Sequence, residues 1–177
     1  WKAQLESYAE FEGWPGIGGI PGVDQIGKWL DANCPPTFTP GIIHGDFHFG
    51  NVLFDRHSAK LTAMVDWELT TLGDPLVDLG WLLTPWPVPG GDMSQTTIAV
   101  EPWEGFPESE ELVEVYGRLT GSDLSNLNWY RVFACYKLAL ILEGSYARAC
   151  AGKAPMDIGQ RLHGNAVRLL GRAGRWI

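Results

Sequence analysis

The stretch His44-Gly45-Asp46-Phe47-His48-Phe49-Gly50-Asn51 decides the reading of this chain. It sets two imidazoles, an acid and an amide on one short loop, entered from apolar Ile42-Ile43. Val52-Leu53-Phe54 follows, then polar Asp55 to Lys60, then a second apolar run, Leu61 to Val65, that ends at Asp66. Two short apolar runs around a polar turn predict a β-hairpin. Antiparallel strands bring the chain back to where it left, so one end of the hairpin carries both Asn51 and Asp66. A carboxylate able to hold a hydroxyl proton (Asp46), with an amide oxygen (Asn51) and a second carboxylate (Asp66) for a divalent cation, are the groups that phosphoryl transfer requires.

Outward from this loop the pattern is mainly helical. Trp1 to Glu12 reads as the end of a helix begun upstream, and Gly13 to Gly22 as a loop. Asp24 is expected to cap a helix bearing Ile26, Trp29 and Leu30, stopped by Pro35-Pro36. Asp74-Pro75 opens another, with Leu76, Leu79, Leu82 and Leu83 on its apolar face. A long Pro- and Gly-rich segment, Pro85 to Pro107, follows. The spacing of Leu112, Val115, Tyr116 and Leu119 predicts a helix from Ser109, with Gly121 past its end. A largely apolar helix over about Ser125 to Ala151 is expected at the centre, and an amphipathic one over about Asp157 to Arg172.

Composition bounds the function. A chain of 177 residues, 45% hydrophobic and 19% charged, suits one globular domain rather than a disordered one. Thirteen basic against twenty-one acidic residues give a net charge of −8, which argues against a nucleic-acid surface. No apolar run is long enough to span a bilayer and no leader pattern opens the chain, so a cytoplasmic location is expected. Cys34, Cys135 and Cys150 form no Cys-x-x-Cys pair and read as buried thiols. The chain opens on Trp1 rather than Met, so a longer parent protein is expected.

His44-x-Asp46-x-x-x-x-Asn51, followed by Val65-Asp66-Trp67-Glu68 and Gly73-Asp74-Pro75-Leu76-x-Asp78-Leu79, resembles the aminoglycoside phosphotransferase and choline kinase-like family. These are relatives of protein kinases that phosphorylate small molecules. The finer resemblance is to the group associated with acyl-CoA dehydrogenases. It covers most of the chain, and its specific part is His44 to Leu83. The resemblance implies a mainly α fold with a small β-hairpin (α+β), the C-terminal lobe of a protein kinase-like fold. Residues 1–177 are then the catalytic and substrate lobe, with the ATP-clamping N-terminal lobe outside the chain. No Gly-rich phosphate loop precedes the motif, no Val-Ala-x-Lys strand is present, and Gly16-x-Gly18-Gly19 lacks a flanking strand and helix.

The implied activity is ATP-dependent transfer of the γ-phosphate to a small-molecule hydroxyl, with Mg2+ as cofactor and ATP as co-substrate. Asp46 is then the catalytic base, and Asn51 and Asp66 hold the metal. His48, where protein kinases carry a Lys, meets the transferring phosphate or is a solvated loop histidine. His44 and Asp78 brace the loop, and Glu68 stands near the metal or pairs with a neighbouring loop. Gly45 replaces the kinase Arg after His44, removing the partner of a phosphorylated activation loop.

Two other functions stay open. One is a catalytically silent kinase-like binding module. The other is a metal-dependent hydrolase in which alternation along a strand gathers His44, Asp46 and His48. Glu101, Glu104, Glu108, Glu110 and Glu111 either attract a cationic acceptor or favour a helix N-terminus, and Trp86 and Trp103 either wall a pocket or pack. The acceptor and the oligomeric state are not legible in the sequence.

Overall fold

The longest apolar stretch of the chain forms the axis of the fold. In the computed structural model, which describes residues 2–58, 60–86 and 105–177, helix α5 (Leu127–Cys150) runs through a helical body. Helices α1 (Lys2–Glu6), α2 (Val23–Ala32), α3 (Leu76–Leu83) and α6 (Met156–Ala173) pack against it, α6 most extensively. Val132, Cys135, Ala147, Ala166 and Ala173 are completely enclosed in this core. Small residues permit the close approach of α5 and α6: a Cβ on Gly159 would lie 2.4 Å from that of Ala149. Leu76, Leu79 and Leu83 of α3 form a second core with Leu127 and Tyr130, covered in part by α4 (Ser109–Thr120). There a Cβ on Gly80 would lie 2.6 Å from the Tyr130 carbonyl oxygen, so α3 crosses α5 almost backbone to backbone.

The buried charges of this body are hydrogen-bonded, except at Arg172 Nε, which has no partner among the described residues. Glu143 is wholly buried and accepts hydrogen bonds from Trp14 Nε1 at 2.8 Å and from His163 Nδ1 at 2.8 Å. Arg172, also buried, donates to the carbonyls of Thr84 (2.7 Å), Trp86 (3.0 Å) and Leu83 (3.2 Å). It thereby satisfies orphan carbonyls past the end of α3 with a cation on the favourable side of the helix dipole.

Two short antiparallel pairs line one edge of the body. The expected hairpin forms from β2 (Val52–Phe54) and β3 (Leu61–Met64), with Val52 opposite Met64 and an irregularity between Leu53 and Phe54. A second pair, β1 (Gly41–Ile43) with β4 (Thr71–Gly73), has no counterpart in the sequence pattern, because three-residue strands are too short to show alternation. The fold class is otherwise as expected: mainly α with small antiparallel sheets. No helix among the described residues is long and apolar enough to cross a membrane.

Several sequence expectations need correction. Helix α1 ends at Glu6, and turns carry the chain on from there. Gly22, in the left-handed region at φ 82°, sits at the N-cap of α2, and Asp24 lies inside the first turn. On α4 the partly buried hydrophobic side chains are Leu112, Val113 and Tyr116, while Val115 and Leu119 face outward, so the apolar stripe is narrower than the spacing suggests. Cys135 and Cys150 are at least half enclosed, but Cys34 is exposed. Glu101, Trp103 and Glu104 lie outside the described residues.

Candidate active site

Strand β1 delivers His44 to the loop, and the loop's shape is set by side chains from the helical body. Asp78, on the first turn of α3, accepts from His44 N at 2.6 Å and from Gly45 N at 2.9 Å. Gly45 has φ 87°, and a Cβ there would lie 2.6 Å from the Leu69 carbonyl oxygen, so only glycine fits between the two segments. His44 is buried with both ring nitrogens occupied. Nε2 donates to Val65 O at 2.9 Å, and Nδ1 accepts from Asp46 N at 3.3 Å. His44 is therefore a brace between the loop and the end of the hairpin, and neither nitrogen is left to bind a metal. Among the described residues no three His, Cys, Asp or Glu side chains gather as a metal cluster. The metal-hydrolase reading on His44, Asp46 and His48 falls with this geometry.

Asp46 lies partly open at the centre. Its Oδ1 accepts from Trp81 Nε1 at 2.8 Å, and its Oδ2 lies 3.3 Å from Asn51 Nδ2 and 3.4 Å from His48 Nε2. Asn51 is buried, and its Nδ2 also donates to the Asp46 carbonyl at 2.8 Å. The amide nitrogen is thus fixed on Asp46, and Oδ1 of Asn51 is the oxygen left to serve another group. His48 Nδ1 accepts from Gly50 N at 3.0 Å and closes the turn into Asn51, with Nε2 turned toward Asp46.

Val65 N donates to Asn51 O at 2.9 Å, so the hairpin closes with Asn51 and the segment entering Asp66 side by side. Asp66 is exposed and is the one described non-glycine residue with positive φ (65°). A left-handed aspartate stores backbone strain of the kind that collects at functional sites. Its carboxylate makes no hydrogen bond among the described residues. Glu68 lies in the single 3-10 turn that follows and is likewise exposed. An uncommitted amide oxygen and an uncommitted carboxylate are hard donors of the type magnesium takes, so these residues fit the ion the sequence implied.

A scan against family models matches residues 14–131 to the phosphotransferase enzyme family, the stretch that holds the whole arrangement. The chain belongs to that family. Among curated relatives it is 33% identical over 165 residues to acyl-CoA dehydrogenase family member 11 of Gallus gallus, covering 89% of this chain and 20% of the relative. Acyl-CoA dehydrogenase family member 10 of Mus musculus is 31% identical over 149 residues, 80% of this chain and 14% of the relative. A crystal structure from Ralstonia eutropha assigned as an aminoglycoside phosphotransferase is 25% identical, with a TM-score of 0.74. That likeness covers 98% of this chain and 55% of the solved one. The chain thus spans a fifth or less of these curated relatives and about half of this structural neighbour.

Within the phosphotransferase frame, sequence reading missed the residues that hold the loop from behind. Trp81 on α3 and Lys137 on α5 both reach it: Lys137 Nζ donates to Gly45 O at 2.9 Å and lies 4.4 Å from the centroid of the Trp81 ring. Burial pushes the Lys137 ammonium below its ordinary value, while the Asp46 and Asp78 carboxylates pull it back up. Nothing in a helical spacing distinguishes such residues from ordinary core. Glu110 is committed elsewhere, bonded to Ser109 and paired with Arg131 at 3.1 Å; the Ser109 bond, ahead of the Arg131 charge, holds its carboxyl below the usual range. Concavity alone would also mislead, since a cavity of about 410 Å³ at Phe38, Asp74, Tyr116 and Tyr130 is lined by none of Asp46, Asn51 and Asp66.

Proposed function

We propose that residues 1–177 are the catalytic and acceptor-binding lobe of an ATP-dependent phosphotransferase acting on a hydroxyl of a small molecule. One observation carries the reading. Asp46, with one oxygen tied off and the other partly open, stands beside Asn51, whose backbone carbonyl is bonded to Val65 N, the residue before the left-handed Asp66. Asp46 orients the acceptor hydroxyl and takes its proton, a contribution of about 10²–10⁴ in rate. Asn51 and Asp66 are the residues that would hold magnesium. When bound, the ion neutralises charge on the ATP phosphates. On this reading His48, whose Nε2 lies 3.4 Å from Asp46 Oδ2, meets the transferring phosphate, and Glu68 flanks Asp66. The ATP-clamping lobe lies outside these residues, consistent with a structural neighbour nearly twice as long.

The test uses the full-length protein, screened against a panel of hydroxyl compounds by ADP release. Asp46→Asn is expected to abolish transfer while leaving binding of magnesium and a non-hydrolysable ATP analogue intact. Unchanged turnover would remove Asp46 from the base role. Nucleotide binding with no turnover in the unsubstituted protein, across the panel, would favour the silent binding module instead.

A further inference from the structure

The geometry points to Trp81 and Lys137 as positioning residues that determine which oxygen of Asp46 takes the acceptor proton. This rests on the base role just given to Asp46. An indole N–H is a donor only, so the 2.8 Å bond from Trp81 Nε1 keeps Asp46 Oδ1 as an acceptor and disfavours a proton there. Oδ2 makes only the longer contacts, 3.3 Å to Asn51 Nδ2 and 3.4 Å to His48 Nε2, on a side chain that is 30% exposed. The proton-accepting oxygen is therefore Oδ2.

Trp81 is held in its turn. It is buried, and the Lys137 ammonium lies over its ring at 4.4 Å while fixing the Gly45 carbonyl at 2.9 Å. A cation over a ring face is attracted to the ring, and it also draws charge from the indole and strengthens its N–H as a donor. The carboxylate, the loop backbone beside it and the indole are thus fixed by one side chain from α5. Lys137 lies past the last residue of the family match, and neither it nor Trp81 belongs to the His-x-Asp-x-x-x-x-Asn pattern. In the reaction the acceptor oxygen–phosphorus bond forms as the bond from the γ-phosphorus to the β,γ-bridging oxygen breaks. The electron pair leaves with ADP, and the hydroxyl proton passes to Oδ2.

The experiment compares Trp81→Phe, Lys137→Met and Lys137→Arg in the full-length protein by ADP release. The acceptor is a compound from the panel, or water where none serves. Trp81→Phe and Lys137→Met are expected to lower kcat about 10- to 100-fold with KM for ATP and acceptor within about twofold. Lys137→Arg should recover most of the loss, and the double variant should fall no further than the worse single one. Wild-type kcat in Trp81→Phe would overturn the proposal, as would losses that track the melting temperature with kcat and KM moving together. Asp46→Asn run alongside separates the two readings. If it is silent with Trp81→Phe fully active, the brace has failed; if it is active, the base itself has failed.

Discussion

The helical body and the strand edge solve different problems with the same chain. Between α5 and α6 the chemistry is burial: Val132, Cys135, Ala147, Ala166 and Ala173 have no exposed surface, and the charges present, Glu143 and Arg172, are bonded. Burial at about 25 cal/mol per Å² of apolar area makes such a region the source of stability. At the edge, the four strands are three or four residues long and much of their apolar surface faces outward. Ile42 is 66% exposed and its cross-strand partner Leu72 78%. So little burial cannot hold a loop in one conformation. The loop is instead held by polar bonds that reach out of the body, from Asp78, Trp81 and Lys137. The body supplies free energy, and the edge spends polar groups on orientation.

That division can be broken in three ways. The largest effect is expected at Arg172→Met, which removes the donors to three buried carbonyls. It should cost about 3 kcal/mol or more in urea or thermal unfolding, with kcat of the surviving folded protein little changed. A small stability loss with a large kcat loss would show that the two regions are not separable. Next is Asp78→Ala, which frees two backbone N–H groups at the edge. Turnover of the full-length protein should fall about 100-fold through misplacement of Asp46, with a stability cost of about 1–3 kcal/mol. Retained turnover would show that the loop holds its shape without α3.

The smallest effect concerns Tyr130, whose hydroxyl donates to Asp74 where α3 meets α5. Burial, and then the bond to Asp74, raise its phenol above the ordinary value of 10.0. The folded state keeps a proton that the unfolded chain releases, so this contribution is intact below about pH 10 and is lost as pH rises past it. Tyr130→Phe should flatten part of the alkaline fall in stability, read from urea midpoints between about pH 9 and 11. An unchanged slope would assign the fall to the other raised phenols, Tyr116, Tyr136 and Tyr146.

Much of the helical body was legible because periodicity is a local property. The apolar run over about Ser125 to Ala151 announced α5, the amphipathic spacing over about Asp157 to Arg172 announced α6, and Gly121 marked the end of α4 in the left-handed conformation it adopts. The pairing of β1 with β4 was not legible, since Ile42-Ile43 and Thr71-Leu72 carry no alternation long enough to read. Cap chemistry misled at Asp24, where the preceding glycine took the position instead. His44 illustrates the intermediate case. Its structural role was readable from its apolar approach, but its two bonds, to Val65 and Asp46, were not.

The sequence by itself determined the candidate inventory: an acid, an amide and a second acid, on a loop and on the hairpin that follows it. Short-range order suffices for that, because a hairpin returns its ends to one place whatever surrounds it. Only the tertiary structure decided how the acid is aimed. The groups that aim it, Trp81 and Lys137, lie 35 and 91 residues further along the chain from Asp46, on helices whose spacing encodes burial and says nothing about what a buried tip will touch. Periodicity fixes which face of a helix turns inward; the packing of α3 against α5 fixes what that face meets.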